Sequence, residues 1–483
     1  MSSLNVVAAT PLLITAGTAT VAMTVGLLPG RMTRRHGPAL IGIAGIVAAI
    51  VMSAVLWGGR QEAFGGGLRA DRFSLLLNIL FLSAALVTIL LAWREPAAVD
   101  RRGEYVTLIL VSTAGMMLVA GAGDLITIFL GIEILSVSLY VLCALEVWRE
   151  KSLESGLKYL IAGAVGASFL LYGLALLYGA TGTTSLSAIG EQLEGTSFTG
   201  EPLVVAAMAL IAGGLAFKAS AAPFHMWTPD VYEGAPTTVT AFMSTAVKAA
   251  AFAAFLRLFS GVMPDLQPDW SVAIAVLAVA SIVIGNVAAL VQSNMKRLLA
   301  YSSIAQAGYL LIGVAAGSID GAEAVLYYLL AYGAMTLAAF AVVIIREREV
   351  EDGDDISALA GYGRARPVVG AVMTVAMLSL AGFPPLSGFI GKFLLFGSAV
   401  EADLTWLAVV GAVGSMVSLG YYLRVIAVTW SEGPDGGPRK VLAIPGPVGL
   451  ATVTAGVSVI ALSLLASPVL EACRGAAEAL LAA

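Results

Sequence analysis

About fourteen runs of some twenty apolar residues follow one another along the 483-residue chain, with only short polar breaks between them. A helix needs about 20 such residues to cross the hydrocarbon layer of a bilayer. Helices and closed barrels alone satisfy their backbone hydrogen bonds there. The runs at 6–28, 38–57, 73–93, 106–122, 124–145, 156–179 and 203–222 predict seven spans. Further runs at 237–260, 271–291, 298–317 and 322–345 predict four more. A broken run at 369–399, then 404–429 and 446–467, completes the set, and a short tail follows from Ser467 to Ala483. Composition agrees: 59% of residues are hydrophobic and 12% charged, where soluble domains carry about 25% charged residues. The expected fold class is therefore an all-α polytopic membrane protein, with no room for a soluble catalytic domain. The first run lacks the basic leader and cleavage site of a signal peptide, so it is expected to stay as a span.

Basic residues predict the orientation. With the N-terminus outside, the loops from odd to even spans hold sixteen of the 26 Lys and Arg: Arg31, Arg34, Arg35, Arg94, Arg101, Arg102, Arg149, Lys151, Lys296, Arg297, Arg346, Arg348, Arg364, Arg366, Arg439 and Lys440. The opposite side holds Arg60, Arg69, Arg72 and Arg474. This bias places the first group in the cytoplasm and both termini on the outer side. The remaining six, Lys158, Lys218, Lys248, Arg257, Lys392 and Arg424, lie inside apolar runs. Helix-end cations can snorkel to the headgroups, a reading that suits Lys158, Arg257 and Arg424. It suits Lys218, Lys248 and Lys392 poorly.

Ionisable groups in hydrocarbon cost about 2.5–3.5 kcal/mol each on insertion scales, so they call for a reason. Glu133 sits mid-run in DLITIFLGIEILSVSLYVL, and Lys218 is its first-choice partner. The pair is either a static ion pair that fixes packing or a proton-handling switch, since burial favours the neutral forms and pairing the charged ones. Lys218 and Lys248 flank a bend that begins at Pro223, where the helix loses a donor. They either bond the carbonyls freed there or form two proton stations, and Lys392, beside the break at Pro384 and Pro385, has the same two readings. His225 satisfies backbone groups at the bend or relays protons. Lys158 supports the connection between stations or snorkels, and Glu154 stands one turn before it as a helical i,i+4 partner. Ser302, Ser303 and Thr336 carry water wires or bond their own helix.

The two breaks, near Lys218 and Lys392, are five runs apart. An odd offset reverses direction in the membrane, so two repeats of inverted topology are expected, and paired broken helices point to an ion pathway. The separation between Lys218 and Lys392, applied elsewhere, carries Lys248 to Tyr422 beside Arg424, and Glu133 to Ala307 beside Gln306. No metal site is expected, since His36 and His225 form no ligand spacing. Two cysteines, Cys143 and Cys473, are too few for an iron–sulfur cluster. No glycine-rich turn after a strand suggests a bound dinucleotide.

The segments ESGLKYLIAGAVGASFLLYGLALLYGATG, FKASAAPFHMWTPDVYEGAPTTVTAF, NMKRLLAYSSIAQAGYLLIG and AGFPPLSGFIGKF resemble the antiporter-like subunits of respiratory complex I. The YEGAPT bend, ESGLKY and VKAAAF are similar to the N-subunit family of bacterial NADH:quinone oxidoreductase in particular. The resemblance runs through most of the chain and weakens in the first hundred residues and the tail. It implies fourteen transmembrane helices, two inverted five-helix repeats, and broken helices seven and twelve. It divides the chain into three N-terminal helices (1–103), a first repeat (104–262), a second repeat (263–430), and a last helix with its tail (431–483). It implies proton translocation through Glu133, Lys218, Lys248 and Lys392, and beside these Lys158, His225 and Gln306 are expected as a supporting relay. Family members often carry His where this chain has Gln306, which does not titrate and could only order water.

The expected function is a proton-pumping subunit of NADH:quinone oxidoreductase in the bacterial inner membrane. Its partners would be neighbouring membrane subunits and lipid, not nucleic acid. Quinone, NADH, FMN and iron–sulfur clusters would belong to other subunits, with no cofactor in this chain. The alternatives are a subunit of a multisubunit cation/proton antiporter or of a ferredoxin- or hydrogenase-linked complex, and a purely structural spacer.

Overall fold

A computed structural model describes residues 6–95, 101–195, 201–433 and 442–482. Arg439 and Lys440, and the side chains of Arg31 and Arg94, lie outside the described residues. Eleven continuous helices follow the apolar runs closely. They are α1 (Thr10–Leu27), α2 (Arg31–Val55), α3 (Arg72–Leu91), α4 (Arg102–Ala120), α5 (Leu125–Cys143) and α6 (Glu150–Thr181), then α9 (Gln267–Leu290), α10 (Met295–Ala316), α11 (Ile319–Glu347), α13 (Thr405–Trp430) and α14 (Gly446–Leu464). Helix α7 is broken into α7a (Pro202–Ala219) and α7b (Thr228–Gly234). Helix α12 is broken into α12a (Pro367–Ala381) and α12b (Ser387–Glu401). Helix α8 spans 237–262 and contains two π-helical stretches, Met243–Val247 and Leu256–Val262. Among the described residues thirteen helices are long and apolar enough to cross a membrane, and the two halves of α12 make one further crossing.

Burial orders the bundle from inside to outside. Helix α8 is enclosed along its whole length, and α10 and α11 nearly so, whereas α1, α2 and α6 turn most of their surface outward. Small residues let the helices close on one another, as is usual where lipid supplies no hydrophobic drive. A Cβ on Gly26 would stand 2.7 Å from the Gly103 Cα, which fixes the approach of α1 to α4.

Loops from odd to even helices gather at one end of the bundle. There the Arg102 guanidinium donates to the carbonyls of Arg35 (2.9 Å) and Trp93 (2.6 Å), and the Thr237 hydroxyl donates to Glu347. Loops from even to odd helices gather at the other end, where the hairpin of β1 (Gln61–Ala63) and β2 (Leu68–Ala70) lies. The grouping expected from the arginines is thus the grouping that the helix directions produce.

The internal repeat appears as one hydrogen-bond motif built twice. At the hairpin end the Leu125 N–H donates to the Thr184 carbonyl and the Leu186 N–H to that of Gly123, around the bridge Asp124↔Ser185. At the arginine-rich end, in the second half of the chain, Met295 donates to Asp354 and Ile356 to Ser293, around Asn294↔Asp355. Asp124 and Asn294 cap the helices that follow them, satisfying first-turn N–H groups. The same device at opposite ends is what inversion requires. The bends also match: Ala221 donates to the Ala216 carbonyl in the first, and Phe383 to that of Leu378 in the second.

These motifs correct the register read from the two lysines. Lys218 precedes its bend and Lys392 follows its own, so the two are not equivalent positions. With Asp124 set against Asn294, Glu133 answers to Ser303, and Ser136 to Gln306. Backbone turns set the equivalence, and the connections between motif and bend differ in length.

Two further elements add to the sequence reading. The short tail that begins at Ser467 is helical as far as Leu481, as part of α15 (Ala466–Leu481), which buries Cys473, Ala476, Ala477 and Leu480 along one face. That spacing of three and four residues marks a one-sided helix. Between the second and third apolar runs, where the sequence predicts no element, the chain forms the β1–β2 hairpin, which packs on Ala8, Ala9, Leu56 and Leu75.

Candidate functional site

Helix α7a ends because Ser220 takes a left-handed conformation (φ 62°) and turns the chain away. Its last carbonyls then have no helical donors. Lys248, at the first α-helical turn after the π stretch of α8, donates to the Ala219 carbonyl (2.8 Å) and to the Ser303 carbonyl on α10 (2.9 Å). A cation at a helix C-terminus is favoured by both the open carbonyls and the helix dipole. The ring of Tyr332 lies 5.9 Å from the Lys248 ammonium, and its hydroxyl donates to Ser303 Oγ (2.9 Å).

Lys392 repeats this arrangement at the second break. Its ammonium donates to the carbonyls of Leu380 (2.9 Å) and Ala381 (3.4 Å), which end α12a, and to Ser415 Oγ on α13 (2.9 Å). The Tyr309 ring lies 4.6 Å away. Gln306 stands between the two lysines on α10. Its amide donates to the Leu380 carbonyl (3.3 Å) and to the Tyr422 hydroxyl (3.2 Å), and its Oε1 accepts from Tyr328. Ser302 shares the Tyr422 hydroxyl. One face of α10, through Ser302, Ser303 and Gln306, thus joins the surroundings of Lys248 to the carbonyl that Lys392 holds. The side chain of Gln306 is engaged by protein on every polar atom, whereas the sequence reading left it only water.

Lys218 and Glu133 meet differently from expectation. Both line one small enclosed space, with Ser136, Gly166, Gly214 and Phe217. The Lys218 ammonium donates to Ser136 Oγ (2.8 Å) and the Tyr159 hydroxyl (3.3 Å), and Glu133 Oε1 has no hydrogen-bond partner among the described residues. The pair is therefore poised across a cavity rather than closed as an ion pair. Gly166 lets the Phe217 ring close against α6 at the edge of that space, since a Cβ there would lie 2.5 Å from the ring.

Lys158 is half exposed and bound on two sides, to Glu154 (2.7 Å, i,i+4) and to Asp230 of α7b (2.7 Å). Asp230 also accepts from Arg297 (2.9 Å), which reaches Glu233, and Glu233 accepts from Lys151. This charged chain ties α6, α7b and α10 together. His225 lies on the bend, half buried, with Nδ1 unpartnered among the described residues, and no hydrogen bond joins it to either lysine. Arg424 caps the end of α9 through the carbonyls of Leu290 and Gln292, in keeping with its helix-end reading. Arg257 departs from that reading. It is buried and paired with Asp71 (2.7 Å), because the β1–β2 hairpin covers the place where it would have reached headgroups.

Several functional candidates escaped the sequence reading. Tyr159, Tyr328, Tyr332 and Tyr422 are fully buried, and a buried tyrosine hydroxyl usually finds a partner. The run YYLLAY on α11, with tyrosines four residues apart, carried that signal. Lys296, counted as a loop cation, is fully buried. It donates to the Ala235 carbonyl (2.8 Å), 4.0 Å from Glu347. Glu95 accepts a hydrogen bond from Thr238, whose oxygen also accepts from Tyr105 (2.8 Å). Burial pushes the Glu95 carboxyl up to about 8, assisted by Glu146 and Glu347 and opposed by Thr238 and Lys296. Among the described residues, no group of three or more His, Cys, Asp and Glu is placed to hold a metal ion.

The chain is similar to known proteins along most of its length. Residues 122–418 match the profile of a family described as NADH:quinone oxidoreductase/Mrp antiporter, TM. The chain is 43% identical over 434 residues to NADH-quinone oxidoreductase subunit N of Trichlorobacter lovleyi, covering 90% of this chain and 89% of that one. A chain of respiratory complex I from Thermus thermophilus with bound aureothin superposes with a TM-score of 0.82 at 38% identity, covering 95% of this chain and 98% of that one. A chain of the Mrp complex from Dietzia sp. shares the fold, with a TM-score of 0.84 at 24% identity over 100% and 98% of the two chains.

Proposed function

The chain belongs to the NADH:quinone oxidoreductase/Mrp antiporter transmembrane family, and on that premise we propose that it is a proton-translocating membrane subunit of an NADH:quinone oxidoreductase, the counterpart of subunit N. The observation that carries this reading is the continuous polar face of α10 between two lysines, each seated on the carbonyls of a broken helix. A lysine amine can take up and release a proton, and carbonyl and hydroxyl partners stabilise its charged form inside hydrocarbon. Protons would be taken up at the arginine-rich, cytoplasmic end, reach Lys248 through water, cross by water beside Ser303 and Tyr332 while Gln306 positions the neighbouring hydroxyls without itself carrying the proton, and leave from Lys392 at the outer side. Glu133 and Lys218 would act as the switch. Closing their gap favours the charged lysine, and opening it favours the neutral one. Lys158 and the charges linked to it hold α6 against α7b, where the switch is mounted. His225 has the weakest support, since neither lysine is bonded to it.

Quinone, NADH, FMN and iron–sulfur clusters would be held by other subunits of the assembly, and the neighbouring membrane subunits would be the partners. The likeness to the Mrp chain concerns the fold alone, and the identity to subunit N selects the redox-linked reading. Purification from native membranes in mild detergent tests it: the chain should bring NADH:quinone oxidoreductase activity with it. In proteoliposomes of the assembly, Lys248→Gln should lower proton pumping by about a hundredfold, the scale of a lost acid–base group. A spacer subunit would leave the pH gradient intact. Copurification with sodium/proton exchange and no quinone reductase would replace the reading with the antiporter one.

A further inference from the structure

At the hairpin end of the bundle, away from the lysines, a cavity of about 290 Å³ opens between the β1–β2 hairpin, the short helix Leu186–Leu193, the end of α8 and α15. That volume is at the lower end of small-ligand sites. Its deep wall carries two guanidinium groups, Arg69 and Arg257, exposed by 6% and 2%. Arg257 spends its Nε and Nη2 on the Ala120 carbonyl and Asp71, and its Nη1 has no hydrogen-bond partner among the described residues. Arg69 Nε likewise has no hydrogen bond, and stands 3.9 Å from the half-exposed Glu62. Burial and the facing Arg257 press the Arg69 guanidinium below its ordinary value. Among the described residues Arg257 therefore has one carboxylate, Asp71, and an idle Nη1, and Arg69 has only the long contact with Glu62. A buried charge left short of a partner is costly, so this wall is built for an added anion. Arginine forks suit phosphate oxygens above all.

The rim has the opposite sign. Glu191, Glu194 and Asp265 line the mouth and are exposed. Between wall and rim the lining is apolar, through Leu186, Leu193, Val262 and Leu266. A free anion would be repelled on its way past three carboxylates. A ligand with phosphate at one end and a cation at the other would satisfy both, and zwitterionic lipid headgroups carry such a pair of charges.

We infer that this cavity is a structural site for an aminophospholipid headgroup, with the phosphate on Arg69 and Arg257 and the primary ammonium on Glu191, Glu194 and Asp265. A primary ammonium donates three hydrogen bonds, which a choline headgroup cannot do. The site clamps the hairpin, the end of α8 and α15 together, at the opposite end of α8 from the switch bend.

The test uses the assembled complex, delipidated and reconstituted in nanodiscs of phosphatidylethanolamine, phosphatidylcholine or phosphatidylglycerol, with retained lipid counted by native mass spectrometry. One phosphatidylethanolamine should be retained in preference to the other two lipids. Arg69→Gln should weaken its retention by about tenfold or more, the scale of one lost charge-assisted bond. The triple variant Glu191→Gln, Glu194→Gln, Asp265→Asn leaves the buried pair untouched. It should abolish the preference over phosphatidylcholine and raise retention of phosphatidylglycerol. Soluble O-phosphoethanolamine should compete with the lipid, whereas inorganic phosphate or ethanolamine alone should not. Equal retention of all three lipids, or retention unchanged in both variants, would overturn the assignment. So would displacement by inorganic phosphate alone, which would make the site one for a free anion.

Discussion

Lys248 and Lys392 meet the carbonyl groups that a broken helix leaves open, so for these two the readings offered by the sequence are not rivals, whereas Lys218 donates to the hydroxyls of Ser136 and Tyr159. The bonds that hold Lys248 at Ala219 and Ser303 also set where its proton can go. Gln306 makes this concrete, because its amide spans the gap between Tyr422 and the Leu380 carbonyl. Gln306→Leu should leave the buried Tyr328 hydroxyl without its partner, at about 1–3 kcal/mol, while Tyr422 keeps Ser302. Stability of the assembly should fall accordingly, and pumping by about tenfold or more. Gln306→His, which restores a donor and an acceptor, should retain most of the rate, as read from dye quenching in proteoliposomes. Glu95 permits a second test at this scale. Its carboxyl titrates near 8 in the folded chain against 4.5 when free. Between those values the folded state binds more protons than the unfolded one, so stability from this group falls as pH rises from about 4.5 to about 8. Glu95→Gln keeps an acceptor for Thr238 and removes the titration. Its melting temperature should match the parent near pH 4.5 and exceed it increasingly up to pH 8; a constant offset would refute the assignment.

The broken helices were legible as elements, because Pro223 and the pair Pro384–Pro385 interrupt apolar runs. Their register was not, because charge was the visible marker while hydrogen-bonded turns set the true equivalence, Ala221 with Phe383. The π stretches of α8 left no trace in the sequence, since Met243–Val247 reads as ordinary helix. Nor did the hairpin, whose three-residue strands are too short to show alternation. Comparing the two bends gives a prediction. Gly382 sits at φ 83°, and a Cβ there would meet Lys392 Cδ at 3.1 Å. Ser220 occupies the same place in the first repeat at φ 62°. Gly382→Ala should cost about 1 kcal/mol of backbone strain and push Lys392 off the Leu380 and Ala381 carbonyls. Pumping should fall while assembly persists. Ser220→Gly relieves the same strain and should stabilise the assembly without loss of pumping. Equal effects of the two substitutions would show that the bends do not seat their lysines in the way described.

At the scale of the whole molecule, direction in the membrane follows from parity and charge together. Fourteen crossings bring both ends of the chain to one face, and the structure shows this: Ala8 and Ala9 pack on the hairpin, and Arg60 donates to the Ala482 carbonyl. The opposite face holds Arg102, Lys296, Arg346 and Arg366, with carboxylates such as Glu347 and Glu349 among them. The positive-inside rule counts cations in short loops and is nearly blind to acids, so these pairs do not cancel the bias. The arginine-rich face should then be cytoplasmic. The two native cysteines are buried, so introduced ones report cleanly. Val6→Cys and Ala482→Cys should react with a membrane-impermeant maleimide added outside intact cells. Glu351→Cys, exposed in the loop after α11, should react only in inverted vesicles. Labelling of Glu351→Cys from outside would reverse the molecule, and with it the direction of every proton step assigned to Lys248 and Lys392.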